Sequence, residues 1–325
     1  MPPIPRRLAL ATLSLLGAPQ GARAQEAPWP VRPITMVVPF STGGSVDAVL
    51  RVVKPELEAA LGQPVVPDYR PGGATALGAA TVARARPDGH TLGMVVDALA
   101  VNATLYPNLP YDTLADLMPV TLLGVMPLVV AVHPAAPYAD LAALLAAARA
   151  RPGALTYASV GVGSVNHLAM ELLSRQAGLR FTHVPYRGGG PAVTDLLGRH
   201  VDLMLMSLAL ARQQLDAGGL RALAVTSTTG LAGLPGVPTV ATAGLPGYSA
   251  YSWQGVVAPA GTPEALVRRL HQVLRGVLGQ PRVSEALAHL GMQVEASSPE
   301  EFGRLLRRDI ATWAAVIQAA DIRPE

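Results

Sequence analysis

The chain has 325 residues, 50% of them hydrophobic, with 25 Lys and Arg against 22 Asp and Glu. That is enough apolar material for two compact domains with their own cores, and it excludes an intrinsically disordered chain. Cysteine is absent and lysine occurs once, at Lys54, which excludes a disulfide framework and a lipid-bearing cysteine.

Arg6 and Arg7 precede an apolar run from Leu8 to Ala18, and Ala22-Arg23-Ala24 forms an A-x-A cleavage pattern. These features in this order predict a secretory signal peptide over residues 1–24, with a buried N-terminal helix as the competing reading. The paired arginines leave the Sec and twin-arginine routes both open. Removing Arg6, Arg7 and Arg23 leaves 22 basic residues against 22 acidic ones, so neither nucleic acid nor an anionic membrane surface is an expected partner. No later stretch approaches the roughly 18 uninterrupted apolar residues of a membrane span. A soluble, freely diffusing periplasmic monomer is expected.

From Ile34 the chain alternates short β-type runs with amphipathic helical patterns. ITMVVPF reads as a strand, VDAVLRVVKPELEAALG as a helix ended by Gly62, PVVPDYR as a strand, TALGAATVARA as a helix and HTLGMVVD as a strand. Buried-type strands in βαβαβ order predict a parallel sheet covered by helices, an α/β lobe. The long apolar run TLLGVMPLVVAVHP is suited to leaving one sheet and entering another. Beyond it come the helix DLAALLAAARA, strand LTYASV, helix VNHLAMELLSRQAG, strand FTHVPY, helix AVTDLLGRH and strands VDLMLMS and LRALAVTS. Residues 230–247 are rich in Gly and Pro and read as loop. YSWQGVVAPAG is a further strand, and two Thr/Ser-Pro-Glu starts open two terminal helices. Those helices need a surface and are expected on the first lobe. The predicted division is 25–126 plus 251–325 for lobe 1 and 127–250 for lobe 2, with crossings near residues 126 and 250. Ligands of open α/β sheets bind beyond the carboxyl ends of the strands, so the cleft between lobes is the expected site.

Three loops there have suitable chemistry. In Pro39-Phe40-Ser41-Thr42-Gly43-Gly44-Ser45-Val46-Asp47 a strand turns into a helix, with glycines that let backbone approach a ligand and free helix-start N–H groups that attract an anion. An ordinary βα connection also fits, and Asp47 in the first turn also suits the helix dipole. The matching turn of the second series is Val160-Gly161-Val162-Gly163-Ser164-Val165-Asn166-His167. Two such turns at equivalent positions are suited to the two ends of a dicarboxylate. A third loop carries Arg187 and Gly188; the guanidinium suits a carboxylate, and equally a solvated surface. His167 fits a ligand contact or a structural helix start.

Competing chemistries lack their parts. Gly161-x-Gly163 has Asn166 where a dinucleotide fingerprint has its third glycine, and no acid ends the next strand. Around Ser159 the chain reads YASVG rather than G-x-S-x-G. His167 and Glu171 stand four apart without an HExxH pattern. Catalytic residues, metal and cofactor are therefore not expected. A periplasmic hydrolase or a sensor serving a membrane histidine kinase remain the alternatives to uptake.

At these loops the sequence resembles the Bug family, the extracytoplasmic receptors of tripartite tricarboxylate transporters. Blocks such as WPVRPITMVVPFSTGGSVDAVLR, LGQPVVPDYRPGGATALGA, GALTYASVGVGSVNHLAMELL, HVPYRGGGPAVTDLLGRHVDLM and SWQGVVAPAGTP follow family order over the whole predicted mature chain. The resemblance implies a two-lobed periplasmic-binding-protein type II (Venus flytrap) fold and a small carboxylate held by the two βα loops, often through water. It also implies membrane transport subunits as partners. Carried over by position, the site is Phe40, Ser41, Thr42, Gly43, Gly44 and Asp47 in one lobe. The other supplies Val160, Gly161, Gly163, Ser164 and His167, with Arg187 and Gly188 lining the cleft. Two departures stand out: Val95-Val96-Asp97 where relatives carry hydroxyls, and Leu205-Met206-Ser207 where they read Phe-Asp-Asn. They put the ligand preference in question and make Asp97 and Met206 candidate contacts. Asp97 suits a ligand with an ammonium group, or a solvated or capping role.

Overall fold

A computed structural model describes residues 29–231 and 233–324; the expected signal peptide lies outside them. The first series is β1 (Ile34–Val38), α1 (Ser45–Leu61), β2 (Val65–Tyr69), a 3-10 turn (Gly73–Thr75), α2 (Ala76–Ala83), β3 (Thr91–Val96) and α3 (Ala98–Leu105). The apolar stripe of α1 buries Val46, Val49, Leu50, Val53, Leu57 and Leu61, and the helix stops at Gly62, whose φ of 68° is left-handed. After β4 (Leu117–Val132) come α4 (Leu141–Ala150), β5 (Thr156–Ser159), α5 (Val165–Ala177), β6 (Thr182–Pro185) and α6 (Gly189–Leu197). Then follow β7 (Leu203–Ser207), α7 (Leu208–Asp216) and β8 (Arg221–Val225). The chain closes with β9 (Tyr251–Pro259), α8 (Glu264–Leu278), α9 (Pro281–His289), β10 (Gln293–Val294) and α10 (Pro299–Ala319).

The strands lie in the order β2-β1-β3-β9-β4-β7-β5-β6, with β8 and β10 also on β4. The expected parallel sheets are mixed instead. β1 is parallel to β2 and β3, whereas β9 returns antiparallel between β3 and β4. The cause is β4, which pairs with β9 from Leu117 to Pro127 and with β7 from Leu128 to Val132. It therefore belongs to both halves of a two-lobed α/β molecule.

This topology points the strand ends at one another. β4 runs with β1 and β3, because β3 and β4 are both antiparallel to β9. β7 is antiparallel to β4, and β5 is parallel to β7, so the second set runs back toward the first. The carboxyl ends of β1 and β3 thus face those of β5 and β7 across the crossing. That is where α/β sheets bind ligands.

The terminal helices differ in detail from expectation. α9 and β10 stand between the two predicted helices, and β10 pairs with β4. α10 starts with a full capping box of Ser298 and Glu301. At α8 the Thr262 hydroxyl donates to the Pro259 carbonyl at 2.7 Å and caps nothing. One apolar cluster joins α3, α10 and Trp253 to Leu168 and Leu173 of α5, so the core is continuous through the crossing. Among the described residues no helix is long and apolar enough to cross a membrane.

Candidate ligand-binding site

The first loop leaves β1 at Pro39 and enters α1 through Gly44, an extended residue (φ −81°, ψ 177°) that offers no side-chain cap. The first amides of α1 consequently lack a side-chain acceptor and are available to an anion. Phe40, Ser41, Thr42, Gly43 and Gly44 are all exposed. Asp47 is not: its carboxylate is 1% exposed and accepts from the Gly43 amide (2.8 Å), the Tyr69 hydroxyl (2.7 Å) and Arg51 (3.0 Å). The Gly43 amide, then Tyr69, hold its pKa below the usual carboxylate value. The structure turns Asp47 inward as the clamp that shapes the loop, away from the ligand contact expected of it.

The second loop is built on a stack of rings. His167 and His183 stack at 3.9 Å between centroids and 9° between planes, and Tyr157 stacks on His183 at 4.9 Å. The Gly163 amide donates to Nδ1 of His167 at 3.1 Å, which puts the proton of the neutral ring on Nε2. Burial, then the neighbouring His183, push His167 down to about 3, and burial takes His183 to about 4. Both are neutral at pH 7. His167 is therefore a support under the loop. Ser164 donates to the Gly161 carbonyl at 2.7 Å and caps the His167 amide, so its hydroxyl is committed. Gly161 (φ 139°) and Gly163 (φ 74°) hold conformations that side chains disfavour, and Val160 is half-buried between them and β5.

Arg187 is exposed and makes no ion pair among the described residues, and Gly188 (φ 107°) begins α6 without a side-chain cap. Three helices thus start at strand ends around the cleft. Met206 lies elsewhere. Alternation along β7 sends Met204 and Met206 into an apolar cluster with Ala131, Ala158 and Ala192, where Met206 is fully buried. Its side chain is a core group, away from the ligand contact expected of it, and the next residue, Ser207, caps α7 with its hydroxyl at the strand end.

Asp97 ends β3 at the crossing. It is 7% exposed and its Oδ1 accepts from the Ser252 hydroxyl at 2.6 Å. Burial raises its pKa to about 6.

The structure adds parts that carried no strong sequence signal. The turn after β2 runs Gly72, Gly73, Ala74, Thr75 with φ of 127°, 54°, 49° and 80°. Buried Asn102 of α3 holds it by donating to the Ala74 carbonyl at 2.7 Å. Ala74 and Thr75, which carry side chains at positive φ, mark stored strain at the strand end nearest the first loop. Ser159 and His183 approach to 2.7 Å, which suggests a hydrolytic pair. Ser159 is fully buried, no acid orients His183 among the described residues, and the pair supports the loop. No group of three His, Cys, Asp or Glu among the described residues is placed to hold a metal. The larger groove at the crossing, about 1260 Å³, is lined by Arg304, Arg308, Tyr251 and Ser227 and by no residue of the two loops.

Two lobes on a shared strand, with helix starts facing across the gap, define a periplasmic-binding type of protein. Residues 49–322 match the family model described as tripartite tricarboxylate transporter family receptor. The chain is 36% identical to Protein BugT of Bordetella pertussis, over 96% of this chain and 97% of that one. A Rhodopseudomonas palustris protein solved with adipate superposes with a TM-score of 0.78 at 34% identity, covering 91% of this chain and all of that one. MatC of the same organism, solved with bound malate, gives 0.73 at 34% identity, covering 89% and 100%. The chain belongs to the tripartite tricarboxylate transporter receptor family, a family of solute-binding receptors rather than enzymes.

Proposed function

We propose that this chain is an extracytoplasmic receptor that captures a small carboxylate-bearing molecule between its lobes and delivers it to membrane subunits of a tripartite transporter. The observation that carries the reading is the opposed pair of helix starts, α1 and α5, at the facing ends of β1 and β5. Their amides supply fixed partial positive charge at two facing points, which suits the anionic ends of a small carboxylate. Relatives solved with adipate and malate support the ligand class.

In this reading lobe 1 is 25–126 plus 251–325 and lobe 2 is 127–250, hinged where β4 changes partners and β9 begins. The ligand contacts are Phe40, Ser41, Thr42, Gly43 and Gly44 from one side, and Gly161, Gly163, Arg187 and Gly188 from the other. Asp47, Ser164 and His167 position those loops. Residues 1–24 direct export and are removed, leaving a periplasmic monomer. A thermal-shift screen of residues 25–325 against dicarboxylates, amino acids and aromatic acids tests the reading. A true ligand at about 100 times its Kd stabilises the native state by about 2.7 kcal/mol. Absence of any shift across all three classes would contradict it.

A further inference from the structure

We propose that Asp97, held by Ser252, is a cation subsite in the floor of the cleft, so that the preferred ligand carries an ammonium group beside its carboxylate. This rests on the carboxylate-receptor reading and names the ligand class within it.

Register places the pair. β1 and β3 run parallel with Val37 beside Gly93, so the first loop and Asp97 both follow the carboxyl ends of adjacent strands. Val96 faces Gln254, and Ser252 faces Met126, one residue before β4 reaches Pro127 and turns to its second set of partners. On that second side Ser207 faces Leu128. Asp97 and Ser252 therefore sit between the ends of β3 and β7, at the bottom of the gap that both loops overlook.

The chemistry of the pair is incomplete. Asp97 is 7% exposed, and no Lys, Arg or His stands within ion-pairing distance among the described residues. Ser252 satisfies Oδ1 only. Oδ2 makes no side-chain hydrogen bond, and the backbone amides of Asp97 and Trp253 are the other donors that act on the carboxylate. The other acid acting on it, Asp309, accepts from Trp253 Nε1 at 2.9 Å and is itself paired with Arg308. Arg308 also donates to the Tyr251 hydroxyl, so that cation is spent.

A buried carboxylate with no counter-ion costs free energy that an entering cation recovers. A plain dicarboxylate brought to this floor meets a like charge instead. A zwitterion satisfies both requirements, its carboxylate at the helix starts and its ammonium on Oδ2. One charge-assisted hydrogen bond of this kind discriminates by about 10- to 100-fold.

Calorimetric titration of residues 25–325 with matched pairs, succinate and aspartate, glutarate and glutamate, adipate and 2-aminoadipate, tests the assignment at pH 7.5. The parent is expected to bind the ammonium-bearing member of at least one pair about tenfold or more tightly. Asp97→Asn, which retains an acceptor for Ser252, is expected to lose that preference while still binding the carboxylate. Ser252→Ala, which leaves the carboxylate in place, is expected to keep it. Equal or better binding of the plain dicarboxylates by the parent overturns the subsite and leaves the receptor reading intact. So does a preference that survives Asp97→Asn. Failure of every acid in both series overturns both.

Discussion

Leu105, the last residue of α3, occupies the space in which a side chain on Gly163 would stand. The contact joins the first series to the second loop, so the lobes meet through this pair as well as through β4 and β9. Gly163 also has a φ of 74°, which costs a residue with a side chain about 1–2 kcal/mol. Gly163→Ala is therefore expected to weaken ligand binding by about tenfold or more. Adding Leu105→Ala should recover the steric part of the loss and leave the backbone part. Equal affinity in the single and double variants would show that the contact plays no part in closure.

Gly44 gives a cleaner test of the first loop. Its backbone is extended, and an added Cβ would meet nothing closer than the Ser41 carbonyl at 3.8 Å. Gly44→Val should fold with an unchanged melting temperature yet lose at least about tenfold in affinity, because the branched side chain stands where the ligand approaches the backbone. Calorimetry beside thermal melting separates the two effects. A variant that binds like the parent removes the first loop from the site.

Asp47 should behave as a structural residue. Replacement by Ala removes the acceptor of the Tyr69 hydroxyl and of the Gly43 amide, so the midpoint of urea unfolding should fall. Tyr69→Phe removes one of the three bonds and should lower the midpoint by less than Asp47→Ala does. If Asp47→Ala were as stable as the parent, the clamp would be redundant.

The buried groups set opposite pH dependences. Asp97 has a folded pKa of about 6 against an ordinary value of 3.8. The folded state thus binds its proton more tightly, and its contribution is full below about pH 4 and lost as pH rises through about 6. Asp97→Asn should accordingly stabilise the unliganded protein by about 3 kcal/mol at pH 8 and by little at pH 4. His167 and His183 have folded values of about 3 and 4, so their contribution is full above the ordinary value of 6.5 and lost as pH falls toward 4. Unfolding free energies measured between pH 4 and 8 should show the parent weakening below pH 6.5. A gain in Asp97→Asn of equal size at both ends of that range would refute the Asp97 assignment.

Much of this was legible in the residues. Alternation and turn chemistry marked β1, α1, β5 and α5, and the two glycine-bearing turns, because a buried strand and an amphipathic stripe leave a periodic trace. The helices α3 and α7 left none. ALAVNATL is nearly all small or apolar, and LALARQQLD follows its strand without a break, so neither has a start signal apart from residues already assigned. The antiparallel return of β9 was hidden because a buried apolar strand reads the same in either direction. Side-chain roles were the least visible. Asp47 and His167 stand at helix starts where ligand contact and loop support use the same residue types. Only the hydrogen bonds they accept, from the amides of Gly43 and Gly163, separate the two. Ser252 carried no signal at all, since its partner Asp97 lies 155 positions away.

The most direct measurement is amide chemical-shift mapping of the isotopically labelled chain, residues 25–325, during titration with a carboxylate that stabilises it. Capture between the lobes predicts saturable shifts at the amides of 43–47 and 161–166 together, at one common affinity. Shifts confined to one of those loops, or to the groove around Arg304 and Arg308, would contradict it.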